Sequence, residues 1–189
     1  MAAVMAELRE EELVRRAQRQ DAASQKAIYE ANVQYLAAVC RRYIKDEDEV
    51  KDILQDSFIT IFSRIGRFEW RGPGSLKAWM KQILVNKALM SLRSRLRHLT
   101  VSLEDEAGEV ADEEVPDTDG IPLGKLQEMI RSLPDGYRTV FNLYAIEARS
   151  HKEIAAMLGI SEGASFSQYS RAKSKLAKMI ENYRKNGDN

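Results

Sequence analysis

Apolar residues recur along most of this chain at intervals of three and four, the spacing of helices that each bury one face. The clearest run opens with Asp46-Glu47-Asp48-Glu49, whose acids suit the positive end of a helix dipole. Val50, Ile53, Leu54, Ser57, Phe58, Ile61 and Ile65 then share one face. Before it, the pattern predicts helices over Glu10–Gln20 and Ala22–Ile44. After it, GRFEWRGPG (Gly66 to Gly74) interrupts the periodicity with glycines and a proline. Ser75 is placed to cap a fourth helix reaching about Arg97, with Leu76, Trp79, Met80, Ile83 and Leu84 turned inward. Towards the C-terminus, helices are predicted over Leu123–Ser132 and Asp135–Glu147, then a short one capped by Ser150 and ending at Leu158. A turn at Gly159-Ile160-Ser161 leads into a last helix from Glu162 to about Tyr183. No strand alternation and no internal repeat interrupts this series, so the predicted class is all-α.

Charge divides the chain. Residues 1–97 hold 18 Lys/Arg against 13 Asp/Glu, and residues 123–189 hold 11 against seven. Between them, residues 98–122 hold nine acids and no Lys or Arg, together with Pro116, Pro122, Gly108 and Gly120. The formal net charge of zero hides this segregation. We read the middle as an acidic linker kept extended by self-repulsion, joining two small helical domains at 1–97 and 123–189. A hydrophobic content of 44% is enough to give each a core.

Other features narrow the function classes. The single Cys40 lies in an apolar run and has no disulfide partner, which fits a core thiol in a reducing compartment. The N-terminal stretch mixes Glu and Arg without an apolar stretch, unlike a secretory leader, and no run is long and apolar enough for membrane insertion. A cytoplasmic location is expected. His98 and His151 are far apart with no Cys or His at ligand spacing, so both read as surface residues; no metal, cofactor or catalytic site is predicted, and the chain is not expected to be an enzyme.

The segment HKEIAAMLGISEGASFSQYSRAKSKL has the arrangement of a helix-turn-helix. Ala155 allows close helix approach, and Gly159 can take the left-handed backbone of the turn. Ile154, Leu158 and Ile160 pack the pair together. The second helix sets Arg171, Lys173, Lys175 and Lys178 against Glu162, and carries Ser165, Ser167, Gln168, Ser170 and Arg171 where a recognition helix reaches base edges. In the N-terminal half, Asp52, Gln55, Asp56 and Ile59 share the face opposite the apolar arc; this is either a docking surface or a solvated face with one incidental isoleucine. The fourth helix carries six basic residues and no acid from Ser75 to Arg97, and the loop before it offers Phe68, Trp70 and Arg71. Cations near aromatic rings suit single-stranded nucleic acid, although Trp70 could equally fold back on its domain.

DEVKDILQDSFITIFSRIGRF with GSLKAWMKQILVNKAL resembles the second conserved region of sigma-70 family factors. LPDGYRTVFNLYAIEARSHKEIAAMLGISEGASFSQYSRAKSKL resembles their fourth. The order of the blocks and the short linker resemble the extracytoplasmic-function (ECF) subgroup, and PDGYRTVFNLYAIE and SEGAS-SQ-SRAK are similar to versions common in Bacteroidetes-type members. The resemblance implies a sigma factor that binds core RNA polymerase, through the clamp of its largest subunit and the flap of its second, and directs initiation at promoter DNA. It further implies an anti-sigma factor as partner. By the same resemblance, Asp52, Gln55, Asp56 and Ile59 dock on the polymerase. Phe68, Trp70, Arg71, Lys77, Lys81, Asn86 and Arg93 fall to the −10 element, and Ser165, Phe166, Ser167, Gln168, Ser170, Arg171 and Lys175 to the −35 element. Family members often carry Lys or Arg where this chain has Phe166, and an aliphatic residue where it has Ser165. The alternative is a stand-alone helix-turn-helix regulator that binds duplex DNA without polymerase.

Overall fold

The computed structural model describes residues 2–103 and 116–187, with side chains described over 10–93 and 116–185. The stretch 104–115, which holds seven of the nine acids of the predicted linker, lies outside the described residues, as does the side chain of His98. Among the described residues there are helices and turns and no strand. The helices are α1 (Ala2–Gln18), α2 (Ala22–Cys40), α3 (Glu47–Arg64), α4 (Ser75–Leu103), α5 (Leu123–Ser132), α6 (Asp135–Phe141), α7 (His151–Leu158) and α8 (Glu162–Gly187). The chain forms two compact units, Met1–Ala88 and Leu89–Asn189.

In the first unit, α2 packs against α1 and α3. Its core includes Val14, Ile28, Leu36, Tyr43, Ile53, Ile61, Met80 and Leu84. Cys40 is buried there, and burial pushes its thiol up to about 12. Helix α1 stops at Gln18, earlier than its pattern predicts, because Gln20 adopts a left-handed backbone (φ 65°). Asp21 then caps α2, accepting from the Ser24 N–H at 2.9 Å. Helix α2 likewise ends before Ile44, at Cys40, where a turn buries Tyr43 and Ile44. The Arg41 guanidinium forks onto both Glu47 carboxylate oxygens (2.9–3.1 Å), tying this turn to the start of α3. Asp46 caps α3 through the N–H groups of Asp48 and Glu49, and acids fill the first turn as expected.

After α3 the chain makes one 3₁₀ turn, Ile65–Arg67. The Gln18 amide donates to the carbonyls of Ile65 (3.2 Å) and Phe68 (2.7 Å), anchoring the loop to α1. Gly72 and Gly74 both have positive φ (102° and 79°), so this bend requires glycine. Ser75 is the first residue of α4 and not its cap: its hydroxyl donates to the Gly72 carbonyl (2.7 Å) and accepts from the Arg71 N–H (3.3 Å). The Gly74 carbonyl accepts the first helical bond, from Ala78. Helix α4 continues past Arg97 to Leu103.

In the second unit, α6 and α7 pack on α8. Met129, Leu133, Tyr137, Ala172, Leu176 and Ile180 form one buried cluster. Arg138 of α6 is fully buried, donating to the Leu133 carbonyl (3.0 Å) and pairing with Asp135 (2.9 Å). The helix predicted over Asp135–Glu147 changes character midway. Beyond Phe141 it widens into a π-turn over Asn142–Ile146, closed by the Glu147 N–H on the Asn142 carbonyl (3.0 Å).

Candidate nucleic-acid interface

Helix α7 begins with a complete capping box. The Ser150 side chain accepts from the Glu153 N–H, and the Glu153 carboxylate reaches back to the Ser150 N–H at 2.9 Å, which holds that carboxyl below its ordinary range. It ends at Gly159, whose left-handed backbone (φ 71°) lets its N–H bond the Ala155 carbonyl at 2.8 Å. Ile154 and Leu158 are buried against α8 as their spacing predicts. The helix-turn-helix geometry is therefore present, with α8 as its second helix.

Along α8 the residues expected to reach a base edge separate into two groups. Phe166 is exposed at 43%, Lys175 is exposed, and Ser167 and Arg171 are half-exposed. Ser165, Gln168 and Ser170, by contrast, are buried. The correction has a pattern behind it. Ser165, Gln168, Ala172, Leu176 and Ile180 fall three or four residues apart, so they continue one stripe towards the helix start. Size lets the serine fit, and the Ser165 hydroxyl meets His151 Nδ1 at 3.0 Å. The polar residue at the inter-helix position is thus hydrogen-bonded. Gln168 Oε1 is buried without a hydrogen-bond partner among the described residues.

His151, expected at the surface, instead sits half-buried among aromatic rings. It stacks on Tyr144 (centroids 4.5 Å, 15°) and takes Phe166 edge-on (5.5 Å, 70°). Tyr169 lies 4.4 Å from Tyr144 and 5.8 Å from His151. Burial lowers the pKa of His151, only partly opposed by Glu162. The π-turn carries Tyr144 into this cluster. Sequence periodicity could not have shown it, since a π-turn shifts every following residue off the helical register.

In the first unit, Asp52, Gln55, Asp56 and Ile59 are all exposed on one side of α3, Ile59 at 61%. Asp56 approaches Lys87 of α4 loosely, at 3.9 Å. The residues expected at a melted strand are more dispersed. Arg71 is exposed and pairs with Glu69 at 3.1 Å; Trp70 and Lys81 are half-exposed; Lys77 lies over the Tyr35 ring at 3.9 Å. Asn86 is exposed, its carbonyl accepting from the Gln82 amide at 3.0 Å. Phe68 does not join them: its ring is buried beside Trp79, centroids 5.0 Å apart, because the Gln18 amide pins its backbone inward. Arg93 lies in the second unit. Its Nε and Nη2 donate to the Met157 carbonyl (2.9 and 2.7 Å), satisfying an orphan group in the last turn of α7. Among the described residues no group of His, Cys, Asp and Glu could hold a metal ion. No helix there is long and apolar enough to cross a membrane.

Two family models match the chain: Sigma-70 region 2 over residues 28–98 and Sigma-70, region 4 over residues 123–176. The RNA polymerase sigma factor CnrH of Cupriavidus metallidurans is 30% identical over 156 residues, 77% of this chain and 81% of that protein. The ECF RNA polymerase sigma factor SigM of Mycobacterium tuberculosis is 30% identical over 145 residues, 77% of this chain and 69% of that protein. The RNA polymerase sigma-H factor of Pseudomonas aeruginosa is 25% identical over 183 residues, 91% and 94% of the two chains. Among solved structures, CnrH in complex with the cytosolic domain of CnrY matches with TM-score 0.48 and 24% identity, covering 90% of this chain and 96% of that one.

Proposed function

The chain belongs to the ECF RNA polymerase sigma factors of the sigma-70 family and directs transcription initiation, and from that premise we propose how its two units divide the work. The α3 face of Asp52, Gln55, Asp56 and Ile59 docks on the clamp of the largest polymerase subunit. The observation that carries this is Ile59, an isoleucine 61% exposed on the same face as Asp52, Gln55 and Asp56. An apolar side chain in that setting gains by being covered, and the flanking acids select a basic partner.

Trp70, Arg71, Lys77, Lys81 and Asn86 hold the melted −10 strand, with Phe68 supporting the loop from within. Phe166, Ser167, Arg171 and Lys175 meet the −35 duplex, while Ser165, Gln168 and Ser170 seat the helix that carries them. The second unit also engages the polymerase flap. The acidic stretch follows the polymerase's nucleic-acid channel, its charge standing in for that of a nucleic acid. The protein itself makes and breaks no covalent bonds, works in the cytoplasm, is held by an anti-sigma factor, and comes from a Bacteroidetes-like branch. This last point is supported by the PDGYRTVFNLYAIE and SEGAS-SQ-SRAK segments.

In vitro transcription with core polymerase, with start sites mapped, tests the scheme. The isolated protein should bind promoter duplex poorly and gain specificity once core polymerase is added. Tight, specific duplex binding by the protein alone would instead identify a stand-alone regulator.

A further inference from the structure

We propose that Phe166 reads the C5-methyl group of a thymine, and that this contact fixes one position of the −35 element the protein selects. The inference rests on the reading of α8 as the −35 recognition helix.

Phe166 lies near the N-terminal end of α8, the end from which a recognition helix addresses base edges. Phe166 is 43% exposed, and the polar or basic Ser167, Arg171 and Lys175 are half-exposed or exposed further along the same helix. A phenyl group can neither donate nor accept a hydrogen bond to a base. In the major groove the apolar feature that separates one natural base from the others is the thymine methyl. Lysine or arginine at this place would select guanine through O6 and N7; phenylalanine removes that option and leaves the methyl.

The ring is also held before DNA arrives. Its edge-on contact at 5.5 Å is with His151, which is fixed on one side by Ser165 Oγ (3.0 Å) and on the other by the Tyr144 ring (4.5 Å). Ser165 is fully buried, so the base of this assembly belongs to the core. A side chain already confined loses little rotamer freedom on contact, so more of the small methyl term survives as discrimination.

The test needs no variant at first. On a promoter mapped with holoenzyme, each −35 thymine of either strand is replaced in turn by deoxyuridine, which removes only the methyl group. Binding of the wild-type holoenzyme should weaken about fourfold at one position, the worth of one buried methyl-sized group. Phe166→Ala should bind more weakly and no longer distinguish thymine from uracil there, and Phe166→Arg should shift the preference at that position to guanine. A flat uracil scan overturns the inference, and so does a methyl-sensitive position that persists in Phe166→Ala. Failure of the holoenzyme to select the promoter at all would overturn the −35 reading together with it.

Discussion

The outer faces of α3 and α8, which we propose meet the polymerase and the −35 duplex, are built on opposite principles. On α3 the side chains stand free: Asp52, Gln55 and Asp56 are exposed, and the loose approach of Lys87 to Asp56 (3.9 Å) does little to hold one geometry. In the proposed docking, its specificity rests on charge sign and on one uncovered isoleucine. On α8 the proposed contact set carries Arg171 and Lys175, and its exposed phenylalanine leans on an aromatic assembly anchored in the core. A face of the first kind tolerates a partner that adapts to it. A face of the second kind is prepared for a rigid one, such as a DNA groove.

The largest effect that can break this comparison is on α3. Asp56→Arg combined with Ile59→Glu should weaken co-purification with core polymerase by more than about 100-fold, because reversed charge meets the partner surface. Stability should change by only about 0.5 kcal/mol per exposed site, checked by thermal melting. Unaltered co-purification would return α3 to the solvated-face reading.

Next come Trp70→Ala and Asn86→Ala. Both should slow open-complex formation while sparing closed-complex binding, Trp70→Ala by roughly 1–3 kcal/mol of barrier for its lost stacking ring, read by stopped-flow promoter melting. Equal loss of both complexes would make the two residues structural.

Two smaller effects test the rigidity of α8. Ser165→Ala strips His151 Nδ1 of its partner and should cost about 1 kcal/mol in urea denaturation, whereas Ser167→Ala, half-exposed, should stay within about 0.5 kcal/mol. The last effect is a pH dependence. The fold lowers the His151 pKa below 6.5, so the unfolded chain takes up that proton first as pH falls. The contribution is fully present above pH 6.5 and is lost as pH falls through the lowered folded value. The lowered carboxyls of Asp117, Glu153 and Glu181 act further down, below their ordinary values of 3.8 to 4.5. Urea midpoints should therefore decline from pH 6.5 downward in the wild type, and a His151→Gln variant that kept the same decline would assign it elsewhere.

The same contrast governs what could be read before the structure. On α3 the helical period matches burial whatever the residue type, and period alone put Ile59 among Asp52, Gln55 and Asp56 on the outside and Ser57 on the inside. On α8 residue type misleads. Ser165 and Ser170 are polar but small enough to bury, and residue type alone assigned them to DNA. Extending the Ala172-Leu176-Ile180 stripe upstream would have found Ser165 and Gln168. Phe68 and Arg93 were beyond reach of any local pattern, because a glutamine 50 residues away and a carbonyl 64 residues away decide where they sit. Helix ends followed the caps where a side chain made them, at Asp46 and Ser150. They slipped where backbone geometry did, at Gln20 and Gly74.

The burial of Cys40 makes the molecule its own reporter. It is the chain's one thiol, it is fully buried, and burial pushes its ionisation up to about 12. A thiol-reactive probe should therefore label the protein only while the first unit is open. Under fast reclosing, the labelling rate divided by that of the unfolded chain gives the opening equilibrium of that unit, with no signal from the cysteine-free second unit. Added core polymerase should slow the labelling to the extent that docking stabilises the closed first unit, which gives its binding free energy without any promoter present.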